Sequence, residues 1–469
     1  MCPRSAHSPS AHGGARTRHP GRRWRPHVET PDEHRRPSAP EAPAEALHQS
    51  GRALGKPDPL ASLRRPGFLL YLAGSLVSNA GNQMRTVAVG WEVYQRTQTP
   101  LSLGLIGLVL ALPVLLLALP AGAAADRYPR KGLIQIAQVG LALSGVGLAW
   151  VSFTDGPIAL TYAFLLGTGT FRAVGWPAAQ AIVTGLVPAP VFANAAMWRS
   201  VAFQLSATLG PLAGGVLLAV YSPGVVYLLD AASSLVLFGC LLFVVPTPQA
   251  RSTEKRSWAS LIEGARFVRR QPVILSTITL DMVAVLFGGA VALLPVYATD
   301  VLGVGATGFG WMRAMPSLGA ITMGLALALL PPMRKAGRAL LVAVAAFGLA
   351  TIVFGLSTSY PLSLAALFCI GAADNVSVVI RSTVLQLLTP DAMRGRVAAV
   401  NAVFIGTSNE IGELESGVVA SLIGSVATVA LGGVLTLVTV AAAAAIWPPL
   451  RRLGSLEDLE PPDARPAPA

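Results

Sequence analysis

LGLIGLVLALPVLLLALPAGAAADRYPRKGLIQIAQVGLALSGVGLAWVSF, residues 103–153, consists of two long apolar runs divided by a short charged break. Each run is free of charge over the ~20 residues that a helix needs to cross a hydrocarbon core of roughly 30 Å. Lipid offers no hydrogen bonds to the backbone, so a run of this kind must close its own bonds as a helix. The break Asp126-Arg127-Tyr128-Pro129-Arg130-Lys131 places three basic residues where the chain re-enters a polar phase.

The same texture extends outward from this pair, from Pro66 to Pro449. The apolar runs predict twelve spans, at 67–91, 102–123, 132–153, 158–185, 194–220, 224–246, 273–298, 307–330, 339–357, 361–387, 397–422 and 425–447. The fold expected is an all-α membrane protein. Composition agrees: 53% of residues are hydrophobic and 12% charged, about half the charged share of a soluble domain. Abundant Gly and Ala suit helices held together in lipid by close backbone packing.

The net charge of +12 is unevenly placed: the first 65 residues hold twelve of the 35 Lys and Arg and six of the 23 acids. With half of the excess in that tail and much of the rest in loops, nucleic-acid binding is not expected. All six histidines (His7, His12, His19, His27, His34, His48) lie in the tail at irregular spacing, and Cys2, Cys240 and Cys369 form no framework. Neither a metal site nor a cofactor is expected. No leader-type apolar run precedes Gly67, and the Pro-, Arg- and Ser-rich start reads as disordered.

Basic residues set the orientation. Arg127, Arg130 and Lys131 follow span 2, and Arg251, Lys255, Arg256, Arg266, Arg269 and Arg270 follow span 6. Arg334, Lys335 and Arg338 follow span 8, and Arg394 and Arg396 follow span 10, whereas the alternate loops offer only Arg96. The asymmetry predicts both termini in the cytoplasm. Trp258, Leu261, Ile262, Ala265 and Phe267 recur at near-helical spacing among arginines, which predicts a short amphipathic helix on the inner membrane surface.

A shift of 202–204 residues superposes Leu186-Val187-Pro188 on Leu388-Thr389-Pro390, Tyr94 on Tyr297, Pro113 on Pro316 and Arg172 on Asp374. The chain therefore divides into two related six-helix halves. The expected organisation is a tail over 1–65, a bundle over 66–246, a linker over 247–272, a second bundle over 273–447 and a tail from 448 to 469. Duplications of this kind build transporters whose site lies between the halves near mid-membrane.

Two motifs carry a family resemblance. Gly122, Asp126, Arg127, Arg130 and Lys131 resemble the major facilitator signature between the second and third helices, with Pro129 where a glycine is usual. The resemblance implies a conformational switch on the cytoplasmic side, with Asp126 capping the third helix and accepting from the facing half. Gly210, Pro211, Gly214 and Gly215 in span 5 are similar to the signature of antiporters and exporters in that superfamily, with Ser206 replacing one upstream glycine. The segments Val87–Gly107, Pro177–Pro188, Tyr227–Phe238 and Thr389–Val400 resemble bacterial exporters of the enterobactin-exporter and macrolide-efflux kind. The likeness spans about residues 62–447 and implies two pseudo-symmetric bundles of the major facilitator fold.

Charge inside a span costs at least ~2.5–3.5 kcal/mol, so it faces a cavity or a partner. The candidate cavity and coupling residues are Asn79, Asn82 and Arg85 in span 1, Arg172 in span 4, Asp281 in span 7, Asp374 in span 10, and Glu410 and Glu413 in span 11. Spans 1, 4, 7 and 10 line the cavity in the family that the motifs resemble. Asp230 and Arg313 are weaker candidates, and Arg381 is placed to snorkel from the cytoplasmic end of span 10. With no His or Lys in the spans, carboxylates are the groups able to carry a proton. No phosphate-binding loop appears, so a nucleotide-driven pump or membrane enzyme is not expected. The expected function is secondary active export of a small organic molecule by alternating access, with protons as the coupling ion and a monomer in the cell membrane. A lipid-handling facilitator or a non-transporting sensor on the same scaffold is the alternative.

Overall fold

In the computed structural model, residues 58–246, 258–331, 333–390 and 393–455 are described. The expected tails up to residue 57 and from 456, and the linker stretch 247–257, lie outside these residues. Every regular element among the described residues is helical. Six long helices make the first half: α1 (Pro66–Thr97), α2 (Pro100–Arg127), α3 (Arg130–Phe153), α4 (Ile158–Ala181), α5 (Phe192–Val220) and α6 (Pro223–Phe243). The linker helix α7 (Trp258–Arg270) leads into α8 (Pro272–Phe287), α9 (Gly305–Leu329), α10 (Ala336–Leu356), α11 (Tyr360–Leu388), α12 (Arg394–Ile423) and α13 (Ser425–Ile446). Prolines occupy the first turn of α1, α2, α6, α8 and α11, where the missing N–H has no partner to lose. Gly424, at φ 86°, makes the tight turn from α12 to α13.

The two halves repeat one packing scheme. In the first, α1 lies against α5 and α6, α2 and α3 against α4, and α3 against α6. In the second, α8 lies against α12 and α13, α9 and α10 against α11, and α10 against α13. Backbone approaches repeat as well: a Cβ on Gly169 would stand 3.2 Å from Pro113, and one on Gly371 would collide with the carbonyl of Pro316. Both pairs keep the offset of 202–203 residues.

The halves meet through α2 with α12 and α5 with α9. These contacts lie toward the end of the molecule away from the basic loops, here the far end. There one apolar cluster crosses between the halves, with Val87, Tyr94 and Leu103 packed against Leu293, Leu294, Phe309 and Met312.

Four expectations change. Residues 448–455, assigned to the C-terminal tail, hold a short helix, Pro448–Arg452, and bury Leu450 and Leu453 in the core of the second half. Span 7, expected unbroken over 273–298, stops at Phe287 and resumes as a one-turn helix, Leu294–Val296, and a π-turn, Tyr297–Val301. The cause is local: Gly288 lets the chain press onto Phe347 of α10, at 2.7 Å from where a Cβ would be, and Gly289 onto α12, where a Cβ would meet Ser416 Oγ at 2.0 Å. Residues 59–65, assigned to the tail, are part of the bundle. Ser62 donates to Asn194 from both its backbone N (3.0 Å) and its hydroxyl (2.6 Å), and the Pro59 carbonyl accepts from Trp198 at 2.9 Å. The linker helix, finally, is fastened to the second half: α7 turns 106° from α8, Glu263 pairs with Arg396 at 2.7 Å, and Gly264 lies against the Arg396 backbone.

Nine described helices are long and apolar enough to cross a membrane, or ten with α7 and α8 taken as one bent span. The two long helices that fall short are α1 and α12. They hold Asn79, Asn82, Arg85 and Glu92, and Glu410, Glu413 and Glu415.

A charged candidate site between the bundles

Arg172, half-way along α4, donates from Nη2 to Glu410 Oε1 of α12 at 3.0 Å. The pair joins the two halves 238 residues apart. Arg172 is 43% exposed and Glu410 16%, so the pair borders an open cleft and is not sealed in a core. Trp176, one turn further along the same face of α4, is exposed too. Glu413, one turn after Glu410, packs its carboxylate against Gly107 of α2, where a Cβ would sit 2.9 Å from Oε2. It makes no hydrogen bond or ion pair among the described residues. Arg172 of α4 and the two glutamates of α12 thus gather at mid-helix. Arg313 of α9, a weaker candidate from the sequence, donates to the Val291 carbonyl in the break of span 7 at 3.4 Å.

The other candidates fall into two groups inside single bundles. Arg85 turns into the first half and binds Asp230 of α6 at 2.8 Å, with Asn82 as its second acceptor. Both charges are almost fully buried. Asn79 is half-buried and makes no hydrogen bond among the described residues. In the second half Asp281 of α8 is ion-paired with Arg381 of α11 and accepts from Ser377 at 3.4 Å. Arg381 therefore does not snorkel: it is buried, and the carboxylate facing it supplies the neutralisation that water would otherwise give. Asp374 shares a small cavity with Asp281, Ser377 and Phe347 and has no partner of its own among the described residues.

The signature after α2 holds helix ends. Arg130 donates from Nη1 to the Ala181 carbonyl at 2.8 Å and to Thr184 at 3.1 Å, at the C-terminus of α4. Lys131 donates to the carbonyls of Leu242 (3.2 Å) and Val244 (2.9 Å) at the C-terminus of α6. Cations at these ends satisfy orphan carbonyls and oppose the helix dipole. Arg127 is exposed, with its guanidinium 5.9 Å from the Tyr128 ring, and Gly122 is buried. Asp126 lies in the last turn of α2, and Pro129 takes the N-cap position of α3.

The span-5 motif works on two faces. Gly210 and Gly214 press onto α1 at Ala80, Gln83 and Met84, while Gly215 meets Gly310 of α9, whose own approach is to the Pro211 carbonyl. Its counterpart 202 residues on, Gly417, meets Gly104 of α2. Near Gly215, Trp91 stacks on Phe309 at 5.9 Å and Tyr94 donates to Asp300, each across the halves. Sequence reasoning passed over these far-end partners, because aromatic residues at a span's end carry no signal of what they face.

The family model described as transmembrane secretion effector matches residues 57–469. The chain belongs to this family. It is an exporter-type transporter of the major facilitator superfamily, a multi-pass membrane protein and not an enzyme. It is 26% identical to the multidrug efflux pump Tap of Mycolicibacterium fortuitum over 391 residues, covering 79% of this chain and 93% of that one. To the enterobactin exporter EntS of Escherichia coli O157:H7 it is 25% identical over 370 residues, covering 78% and 88%. Among solved structures, it resembles the inward-facing, occupied bacterial homolog of the human lysosomal transporter Spinster, with a TM-score of 0.66 at 16% identity, covering 86% of this chain and 98% of that one. That likeness shows the twelve-helix fold. Within it, the chain places its cross-bundle ion pair on α4 and α12.

Proposed function

We propose that this transporter exports an amphipathic small organic molecule, of the drug or siderophore class, by proton-coupled antiport with alternating access, as a monomer. The observation that carries the proposal is the Arg172–Glu410 ion pair across the two bundles, with Glu413 beside it. Antiport requires one set of groups for which proton and substrate compete. A proton on Glu410 releases Arg172, and a polar group of the substrate can take either partner. Asp374, unpartnered beside the Asp281–Arg381 pair, offers a second protonation point. Trp176 and Asn79, exposed and half-buried, give the cleft apolar and polar surface together, which suits an amphipathic cargo. The names of Tap and EntS support a drug or siderophore as cargo.

The excess of Lys and Arg on one set of loops supports a cytoplasmic position for that end and for both termini. The far end then faces outward, and its glycine and aromatic contacts close it, so this conformer is open inward. One chain supplies both bundles and the whole cleft, which supports action as a monomer.

The test is substrate uptake into inverted vesicles under a proton gradient for Glu410→Gln, Glu413→Gln, Asp374→Asn and Asp281→Asn. At least one of the four is expected to lose gradient-driven uptake while binding persists. Full gradient dependence in all four would refute the carboxylate assignment, and wild-type flux without a gradient requirement would refute coupling.

A further inference from the structure

Beyond Arg172, α4 keeps one face turned to the open cleft. Trp176 and Gln180 follow at intervals of four residues, so the three side chains form a stripe about 12 Å long. The bond from Arg172 to Glu410 across the halves shows which way that face points. All three residues are exposed, Trp176 by 59%. The stripe runs toward the end of the basic loops, where this turn of α4 is held firmly. Tyr71 of α1 donates to the Ala179 carbonyl at 3.0 Å, and Arg130 donates to that of Ala181.

At the end of the stripe stands a cation that the proposed cycle leaves unused. Arg199, the eighth residue of α5, donates from Nη2 to Gln180 Oε1 at 2.7 Å. The helices α4 and α5 do not pack side by side, so this bond spans the space between them. Arg199 makes no other hydrogen bond and no ion pair among the described residues. Gln180 is neutral, so it aims the guanidinium without cancelling its charge, and further N–H donors remain for a second acceptor. On the facing wall Gly406 and Val403, one and two turns from Glu410 toward the same end of α12, are exposed and uncharged. Arg172 is balanced by Glu410, whereas Arg199 has no carboxylate partner among the described residues. The basic bias of this end accounts for a cation here, but not for its being turned onto α4.

We propose that Arg199, aimed by Gln180, and Trp176 form a capture site for a flat aromatic anion at the open end of the cleft. The inference rests on the export reading above and names the charge and shape of its cargo. A guanidinium fork binds a carboxylate through two parallel N–H bonds, which are stronger than a bond to an amide. An arriving carboxylate therefore displaces Gln180 from Arg199, while its ring lies on the exposed indole one turn away. Arg172 stands about 6 Å beyond Trp176 along the helix. Once a proton on Glu410 frees Arg172, the anion passes from one arginine to the other over the indole.

The experiment measures equilibrium binding to the full chain in phosphatidylcholine nanodiscs. The probes are radiolabelled naphthoate, its neutral analogue naphthamide, and cyclohexanecarboxylate, an anion without an aromatic face. The wild type is expected to prefer naphthoate to naphthamide about tenfold, the size of a charge-assisted hydrogen bond, and to cyclohexanecarboxylate several-fold. Arg199→Gln is expected to weaken naphthoate about tenfold and naphthamide far less, a split that a merely structural role would not produce. Gln180→Glu keeps the bond to Arg199 but cancels its charge, so it is expected to weaken naphthoate as much, and it keeps the test valid if Arg199→Gln misfolds. Trp176→Leu is expected to level naphthoate with cyclohexanecarboxylate. A wild type that binds naphthoate no better than naphthamide overturns the proposal, as does a preference that survives in Arg199→Gln, Gln180→Glu or Trp176→Leu. Uptake into inverted vesicles separates the two readings. If a proton gradient drives flux of naphthamide and not of naphthoate, the capture site falls and the export reading stands; if naphthoate binds as described but no flux requires the gradient, the site stands and the coupling falls.

Discussion

A methyl group added at each of two glycines should prise open the far end. In the closed arrangement a Cβ on Gly215 would lie 2.7 Å from the Gly310 Cα and 2.8 Å from the Ala306 carbonyl oxygen. On Gly417 it would lie 2.7 Å from the Gly104 Cα and 2.8 Å from the Gly104 nitrogen. Carbon atoms rest at about 3.5–4.0 Å, so each interface must widen by roughly 1 Å. The obstructing atoms are backbone and cannot rotate away. Overpacking of this kind costs about 1–3 kcal/mol, and each interface exists only between the halves, so the cost falls on the closed state. Each of Gly215→Ala and Gly417→Ala should therefore shift the open-to-closed ratio by about 5- to 150-fold. The interfaces share no residues, so the two free-energy shifts should add.

Distances between spin labels placed at the exposed Gln95 of α1 and the exposed Thr358 before α11 read the shift, and substrate export should slow as closure becomes limiting. Gly239→Ala and Gly406→Ala, where a Cβ would meet nothing within 4 Å, control for the gain in helix propensity of about 1 kcal/mol. An unchanged distance distribution in the double variant, with the protein folded, would refute the idea that these glycines set the closed contact. So would an equal shift in the controls.

Arg85→Met should destabilise the first bundle by about 3–5 kcal/mol, because Asp230 is left charged and buried, and Arg85→Met combined with Asp230→Leu should recover most of that loss in thermal unfolding. A double variant no better than the single would mean that the pair does more than neutralise itself. Asp126→Asn should slow transport several-fold while equilibrium substrate affinity stays within a few-fold, since the residue lies in the last turn of α2, about a dozen residues beyond the mid-helix charges. Binding and single-turnover flux, measured on the same preparation, check this, and a large affinity loss with normal turnover would count against it.

How much of this was legible in the sequence depends on the range of the interaction. Span number, the two-fold repeat and the basic end follow from hydropathy and charge, because the bilayer acts on each segment almost independently of its neighbours. The break at Gly288 and Gly289 escaped that reading, since an apolar run continues through it and only the approach of α10 and α12 shows why the helix stops. The charged candidates were likewise visible one by one, as residues too costly to leave unpartnered in a span. Their pairing was not. Arg85 with Asp230, Asp281 with Arg381, and Arg172 with Glu410 are separated by 145, 100 and 238 residues, and each choice is made by which helix faces which. The sequence by itself determined that this chain crosses the membrane as two matched bundles with charge inside. Only the tertiary structure decided that two of the charge pairs lock single bundles while the third joins them, because a partner is selected by helix rotation and contact, which no local pattern encodes.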